Sequence, residues 1–286
     1  MTQKICVLTD TSCTLSASEA KSHGISLLPL NVIDQAGNDL LNTLENKDIG
    51  ARMVQNELFK TSTTPFHLLI NLIEDLLMKY DQVIYLVTSS KISSQYSQCS
   101  NLLKDEFPAN KVLVYDSLTS GHGLSTLAIQ VAHQVKQPNF QIDQIETIIE
   151  TFDQKHFDYF TCENVKYIAR SGRGSKKLLK YFSKIIRPII LFKNENNLES
   201  ISRTLNGAIE KMVDLTFKRL SQMGAYKIKN VLIYNGLGTV SILEKLIKLV
   251  AKKLNFQANL IKLIDVPQVV FVHTGPETYG IHVELQ

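Results

Sequence analysis

Short, unbroken apolar runs recur through the first half of the chain, each followed by a stretch with apolar residues three or four apart. Residues 4–9, 25–33, 82–88 and 111–115 read as buried strands. Residues 16–23, 46–59, 66–79, 93–106, 124–136 and 143–155 read as helices, with a turn at 34–39. Strands that are apolar on both faces and alternate with helices of this length predict a parallel sheet covered on both sides.

After about residue 157 the rhythm changes. Residues 185–193 and 198–204 read as antiparallel strands joined by the polar turn 194–197. Helical periodicity follows at 206–223 and 240–254, and strands at 230–234, 259–264, 268–273 and 279–285. Strand pairs beside long amphipathic helices predict an α+β arrangement with a mixed sheet. The expectation is therefore an α/β protein of two domains, 1–157 and 158–286, with a ligand site in the inter-domain region. The run 268–273 would deliver His273 to the turn at Gly275-Pro276, exposed at a strand tip, where ligand contacts are commonly placed.

Composition narrows the class. Of 286 residues, 44% are apolar and 20% charged, which suits a folded core. No apolar run approaches the ~18 residues needed to span a bilayer. The N-terminus leads straight into a strand without a signal-peptide pattern, so a cytoplasmic location is expected. Cys6, Cys13, Cys99 and Cys162 fit no metal spacing, and the histidines form no HExxH, so neither a metal nor another cofactor is expected. The net charge of +4 is uneven: residues 170–187 are formally +7, leaving −3 on the remainder. Such a block suits an acidic partner, a phosphate-bearing ligand or nucleic acid, and equally a solvated helix face.

Four loops are rich in hydroxyls: 9–14, 60–66, 88–96 and 116–123. In an open parallel sheet ligands lie beyond the carboxyl ends of the strands, so these loops should share one edge. Neutral hydroxyl and N–H donors there suit an oxyanion without burying a cation, although Ser and Thr also serve as ordinary helix caps. There is no GxSxG elbow and no Walker A motif, and Gly236-Leu237-Gly238-Thr239 lacks the third glycine of a dinucleotide loop. A hydrolase or phosphotransferase pairing Ser93 or Thr61 with His273 remains an alternative, with no orienting carboxylate assignable. A nucleic-acid role for 170–187 lacks any standard motif.

The order of these motifs resembles the DegV family, bacterial lipid-binding proteins that include the fatty-acid-binding subunits of fatty-acid kinase. Leu8-Thr9-Asp10-Thr11-Ser12 is similar to its opening TDS-type motif, Thr61-Ser62 to its TSQPS loop, and Ile92-Ser93-Ser94-Gln95-Tyr96 to its LSGTY motif. Asp116-Ser117 through Ser120-Gly121-His122-Gly123 resembles its DS segment, Ser171-Gly172-Arg173 its GGR turn, Arg203-Thr204 an Arg-Thr pair, and His273-Thr274-Gly275-Pro276 its HTGP motif.

The resemblance implies a non-catalytic binder of a long-chain fatty acid of the palmitate, stearate or oleate class. The carboxylate would be held around Thr61, Ser62, Ser93, Ser94, His273, Thr274 and Gly275, and the acyl chain by an apolar tunnel. It further implies presentation of the acid to a separate ATP-binding kinase subunit, with Arg170, Arg173 and Arg203 as partner or phosphate contacts. It implies no nucleic acid and at most transient membrane-surface contact. The chain departs from the pattern at Ser94, where the family has Gly, at Gln95 for Thr, at Ser171 for the first Gly of the turn, and at Cys13-Thr14, where an acidic residue is usual. A Cβ at position 94 would restrict any left-handed backbone there.

Overall fold

The computed structural model describes residues 3–40, 43–171, 186–193, 195–224 and 226–286. The chain divides into two compact units, Met1–Asn31 with Thr61–Gln154, and Val32–Lys60 with Lys155–Gln286. This differs from a single cut at residue 157, because residues 32–60 are grouped with the second unit. β3 (Asn31–Ile33) and β4 (Lys60–Ser62) pair with each other and hold the two points where the chain passes from one unit to the other.

In the first unit β1 (Ile5–Asp10), β2 (Ile25–Leu28), β5 (Gln82–Val87) and β6 (Val112–Asp116) form a parallel sheet in the order β2-β1-β5-β6. All six residues of β5 are buried because both faces are covered. Ile84 and Leu86, with Val7 of β1, pack against α5 (Gly121–Gln134) and α6 (Gln144–Gln154). Val83, Tyr85 and Val87, with Cys6 and Leu8, pack against α3 (Phe66–Leu77) and α4 (Gln95–Glu106). The alternation follows from the two-residue period of a strand. The expected strand 25–33 is broken at Pro29, which has no N–H for a ladder. The expected helix 46–59 stops early: α2 is Asn46–Val54, and Asn56 turns left-handed at φ +68 before β4.

The second unit holds a mixed sheet in the order β11-β10-β12-β7-β8-β9. Its strands are β7 (His156–Cys162), β8 (Arg187–Lys193), β9 (Glu195–Ser202), β10 (Ile228–Gly236), β11 (Lys262–Asp265) and β12 (Thr278–Leu285). Only β10 and β11 run parallel; the other neighbours are antiparallel. Phe157, Tyr159, Ile233, Ile281 and Val283 of this sheet pack against α8 (Leu205–Gln222) and α9 (Val240–Leu254). Among the described residues no helix is long and apolar enough to cross a membrane.

The expected strand 268–273 is instead the helix α10 (Gln268–Thr274), started at Pro267, whose carbonyl accepts from the N–H groups of Val270 and Phe271. A short apolar run has no decisive period. β12 already has partners on both sides, in β10 and β7, so the segment has no ladder to join at that strand.

On the other face of β7 and β12, Asp158 lies opposite His282. Both are buried, and the His282 ring bonds the carboxylate through Nδ1 at 2.9 Å. Asp158→Ala should destabilise the protein by about 1–3 kcal/mol, because it leaves a buried ring nitrogen without this partner. Urea unfolding of the variant beside wild type measures it.

Candidate functional site

The strand order of the first sheet reverses direction between β1 and β5, the point at which open α/β sheets place ligands. Three of the hydroxyl-rich loops, 9–14, 88–96 and 116–123, follow β1, β5 and β6 and so lie at one edge of this parallel sheet, bonded to one another; loop 60–66 instead carries β4, outside this sheet. The Ser89 N–H donates to the Thr119 carbonyl (2.9 Å), that of Ser117 to Val87 (3.0 Å), and that of Gly121 to Ser12 (3.0 Å). The Thr64 hydroxyl donates to the Pro29 carbonyl, bringing the loop after β4 to the end of β2. Many hydroxyls here serve the fold: Thr9 Oγ1 donates to the Leu86 carbonyl (2.9 Å), and Thr11 Oγ1 accepts from the Leu30 N–H (2.9 Å).

Two carboxylates that sequence reasoning left without a role organise this edge. Asp10, the last residue of β1, is 0% exposed. Its Oδ1 accepts from the Ser12 N–H (2.9 Å) and its Oδ2 from the Thr88 N–H (3.1 Å). Burial pushes this carboxyl above its ordinary value, against the bonds from Ser12 and Thr88 that lower it. Asp116, the last residue of β6, accepts through Oδ1 from Leu118 N–H (3.0 Å) and Ser90 N–H (3.1 Å). The available signal was an Asp closing an apolar strand just before Ser or Thr, the pattern of an Asx turn.

Between these carboxylates runs the loop from β5 to α4, which carries Ser93. Ser93 is half-buried; its N–H donates to the Ser89 carbonyl (3.1 Å) and its Oγ accepts from the Gln95 N–H (3.2 Å). Accepting does not use the hydroxyl proton, which stays suited to an oxyanion. Ser94 is exposed at φ −77, so its Cβ meets no left-handed backbone, and its Oγ accepts from Gln98 Nε2 (3.1 Å). Gln95 points inward, donating from Nε2 to the buried Tyr85 hydroxyl (2.6 Å). Thr61 is half-buried and Ser62 exposed, both on β4.

In the second unit His273 is only 9% exposed and sits in the last turn of α10, not at an exposed strand tip. Thr274 is buried beside it, and its Oγ1 donates to the Val270 carbonyl (3.4 Å). Gly275 ends the helix at φ +80 and ψ 176, a conformation essentially confined to glycine. A Cβ there would lie 2.1 Å from the ring of Tyr167, on α7 (Lys166–Arg170). α7 ends at the exposed Arg170.

Arg203 is exposed, and its carbonyl accepts from Arg187 Nη1 (2.8 Å). Arg187 also pairs with Glu163, Nε to Oε2 at 2.8 Å, so one charge of the basic block is already neutralised. Arg173 and the other residues of 172–185 lie outside the described residues.

All four cysteines are free and buried, and burial pushes Cys13 and Cys162 up to about 12 and Cys99 to about 11, which suits packing rather than nucleophilic work. Among the described residues no group of three or more His, Cys, Asp or Glu is placed to hold a metal ion.

Gly275→Ala should cost roughly 1–3 kcal/mol for the backbone alone, with the Tyr167 contact adding to it. Thermal unfolding beside wild type checks this, and an unchanged midpoint would contradict the geometry.

Residues 4–286 match the model of the DegV family, described as uncharacterised proteins. A DegV domain-containing protein of Ureaplasma parvum is 29% identical over 224 residues, covering 75% of this chain and 72% of its own. Among solved structures, a fatty-acid-binding DegV family protein from Streptococcus agalactiae superposes with a TM-score of 0.82 at 18% identity, over 99% of each chain. A stearic-acid-binding protein from Eubacterium ventriosum gives a TM-score of 0.81 at 19% identity, over 98% of this chain and 97% of its own. The match extends over both units, and the chain belongs to the DegV family.

Proposed function

We propose that this chain binds a long-chain fatty acid of the palmitate, stearate or oleate class and acts in the cytoplasm as a carrier rather than a catalyst. The observation that carries the reading is the carboxyl edge of the first sheet, where a half-buried Ser93 hydroxyl sits on a loop held by fixed hydrogen bonds. Neutral donors are what a carboxylate needs if it is to leave water without a buried cation beside it. The fatty-acid-binding proteins of the same fold support the choice of ligand.

Thr61, Ser62, Ser93 and Ser94 of the first unit and His273, Thr274 and Gly275 of the second are the proposed head-group residues. Gly275 contributes by shaping the turn after His273 and Thr274. The acyl chain supplies most of the affinity, at about 0.8 kcal/mol for each buried CH2, so the polar contacts mainly set orientation.

Held by its head group, the acid would be presented to a separate ATP-binding kinase subunit for conversion to an acyl phosphate. Arg170, Arg173 and Arg203 are the proposed contacts with that partner or with phosphate. Membrane contact would be at most transient.

Native mass spectrometry of the purified protein should find about one long-chain fatty acid per chain. A lipid-free protein that takes up neither palmitate nor oleate would contradict the proposal. Ser93→Ala should weaken palmitate binding about tenfold, the order expected for losing a hydrogen bond to a charged group, with the unfolding midpoint little changed.

A further inference from the structure

The loop from β5 to α4 is held from both sides by one device used twice. On one side is Asp10 at the end of β1; on the other is Asp116 at the end of β6, and both strands are neighbours of β5. Each carboxylate accepts an N–H from two residues further along its own chain, Ser12 for Asp10 and Leu118 for Asp116, and one N–H from the loop, Thr88 and Ser90 respectively. Ser93 follows within the same turn system, through its N–H bond to the Ser89 carbonyl. Ser89 lies between the two gripped residues, and its own N–H is bonded to the Thr119 carbonyl.

We infer that Asp10 and Asp116 are positioning residues that set where the Ser93 hydroxyl stands. This rests on the proposal that Ser93 donates to a fatty-acid carboxylate, and it adds the groups that fix that donor. A hydroxyl on a free loop must be ordered at the moment of binding, which lowers affinity; one on a loop already clamped at Thr88 and Ser90 is not ordered anew. Neither aspartate needs to touch the ligand. Both are already bonded to the backbone N–H groups of the loop itself.

The two aspartates work through different oxygens, and that difference separates positioning from charge. Asp10 uses both oxygens, one for each bond. An asparagine has a single acceptor oxygen, so Asp10→Asn must lose one of the two bonds and set an NH2 group against an N–H. Asp116 uses Oδ1 for both bonds, so Asp116→Asn can keep both while removing the charge, whereas Asp116→Ala loses both.

The experiment measures palmitate affinity by titration calorimetry for wild type, Asp10→Asn, Asp116→Ala and Asp116→Asn, each with Ser93 intact and with Ser93→Ala. With Ser93 intact, Asp10→Asn and Asp116→Ala should weaken binding about tenfold, and Asp116→Asn should stay within about twofold of wild type. In the Ser93→Ala background all three should differ from their parent by less than about twofold, because the positioned group is gone.

Losses that simply add to that of Ser93→Ala, or an Asp116→Asn variant as weak as Asp116→Ala, would overturn the inference. So would Asp10→Asn and Asp116→Ala proteins that bind like wild type. Where the buried Asp10→Asn fails to fold, the two substitutions at the half-buried Asp116 decide between positioning and charge by themselves. Wild-type protein that binds no palmitate would remove the fatty-acid reading itself, and that result is told apart by the wild-type titration.

Discussion

Four parallel strands that end on one edge leave the backbone N–H groups of their outgoing loops without ladder partners, and these groups must be satisfied where the chain is buried. The first unit meets this constraint with side chains at strand ends. Asp10 and Asp116 accept from their own turns and from the loop between them, while Thr9 and Thr64 donate to neighbouring carbonyls. The same bonds that make the edge stable make it rigid. A rigid edge of neutral donors is a fitting place for an anionic head group.

The second unit solves a different problem. Its mixed sheet gives one face to α8 and α9 and keeps polar pairs on the other, where Asp158 holds His282. Its candidate residues lie on a short helix and the glycine that ends it, with the ring of Tyr167 against Gly275. That contact, with the φ of +80, makes a side chain at position 275 costly.

Most of the fold was legible because burial imposes a period. β5 reads as an unbroken apolar run because both its faces are covered, and α9 reads as a helix because only one face is. The misread segments each have a physical cause. Residues 268–273 are rich in β-branched side chains and resemble a strand, yet tertiary context makes them a helix. β7 carries His156, Asp158 and Thr161 among its apolar residues, and these interruptions hide it.

At the site, the hydroxyls are visible in the sequence as residue types, but their use is not. Sequence alone does not say that Thr9 and Thr64 are committed to carbonyls while the Ser93 oxygen only accepts from the Gln95 N–H. Nor does it show that Ser94 sits at φ −77, where a side chain costs nothing. Asp10 stands within a motif, yet its work is hidden there. Its partner Thr88 is distant in sequence and becomes a neighbour only through the pairing of β1 with β5.

The most direct measurement of the central claim is a crystal structure of the protein grown with palmitate. The account predicts one acyl chain, with its carboxylate within about 3.2 Å of Ser93 Oγ and Asp10 still bonded to the Thr88 N–H. An acyl chain whose carboxylate touches none of Thr61, Ser62 or Ser93, or saturating palmitate that leaves no acyl density, would contradict it.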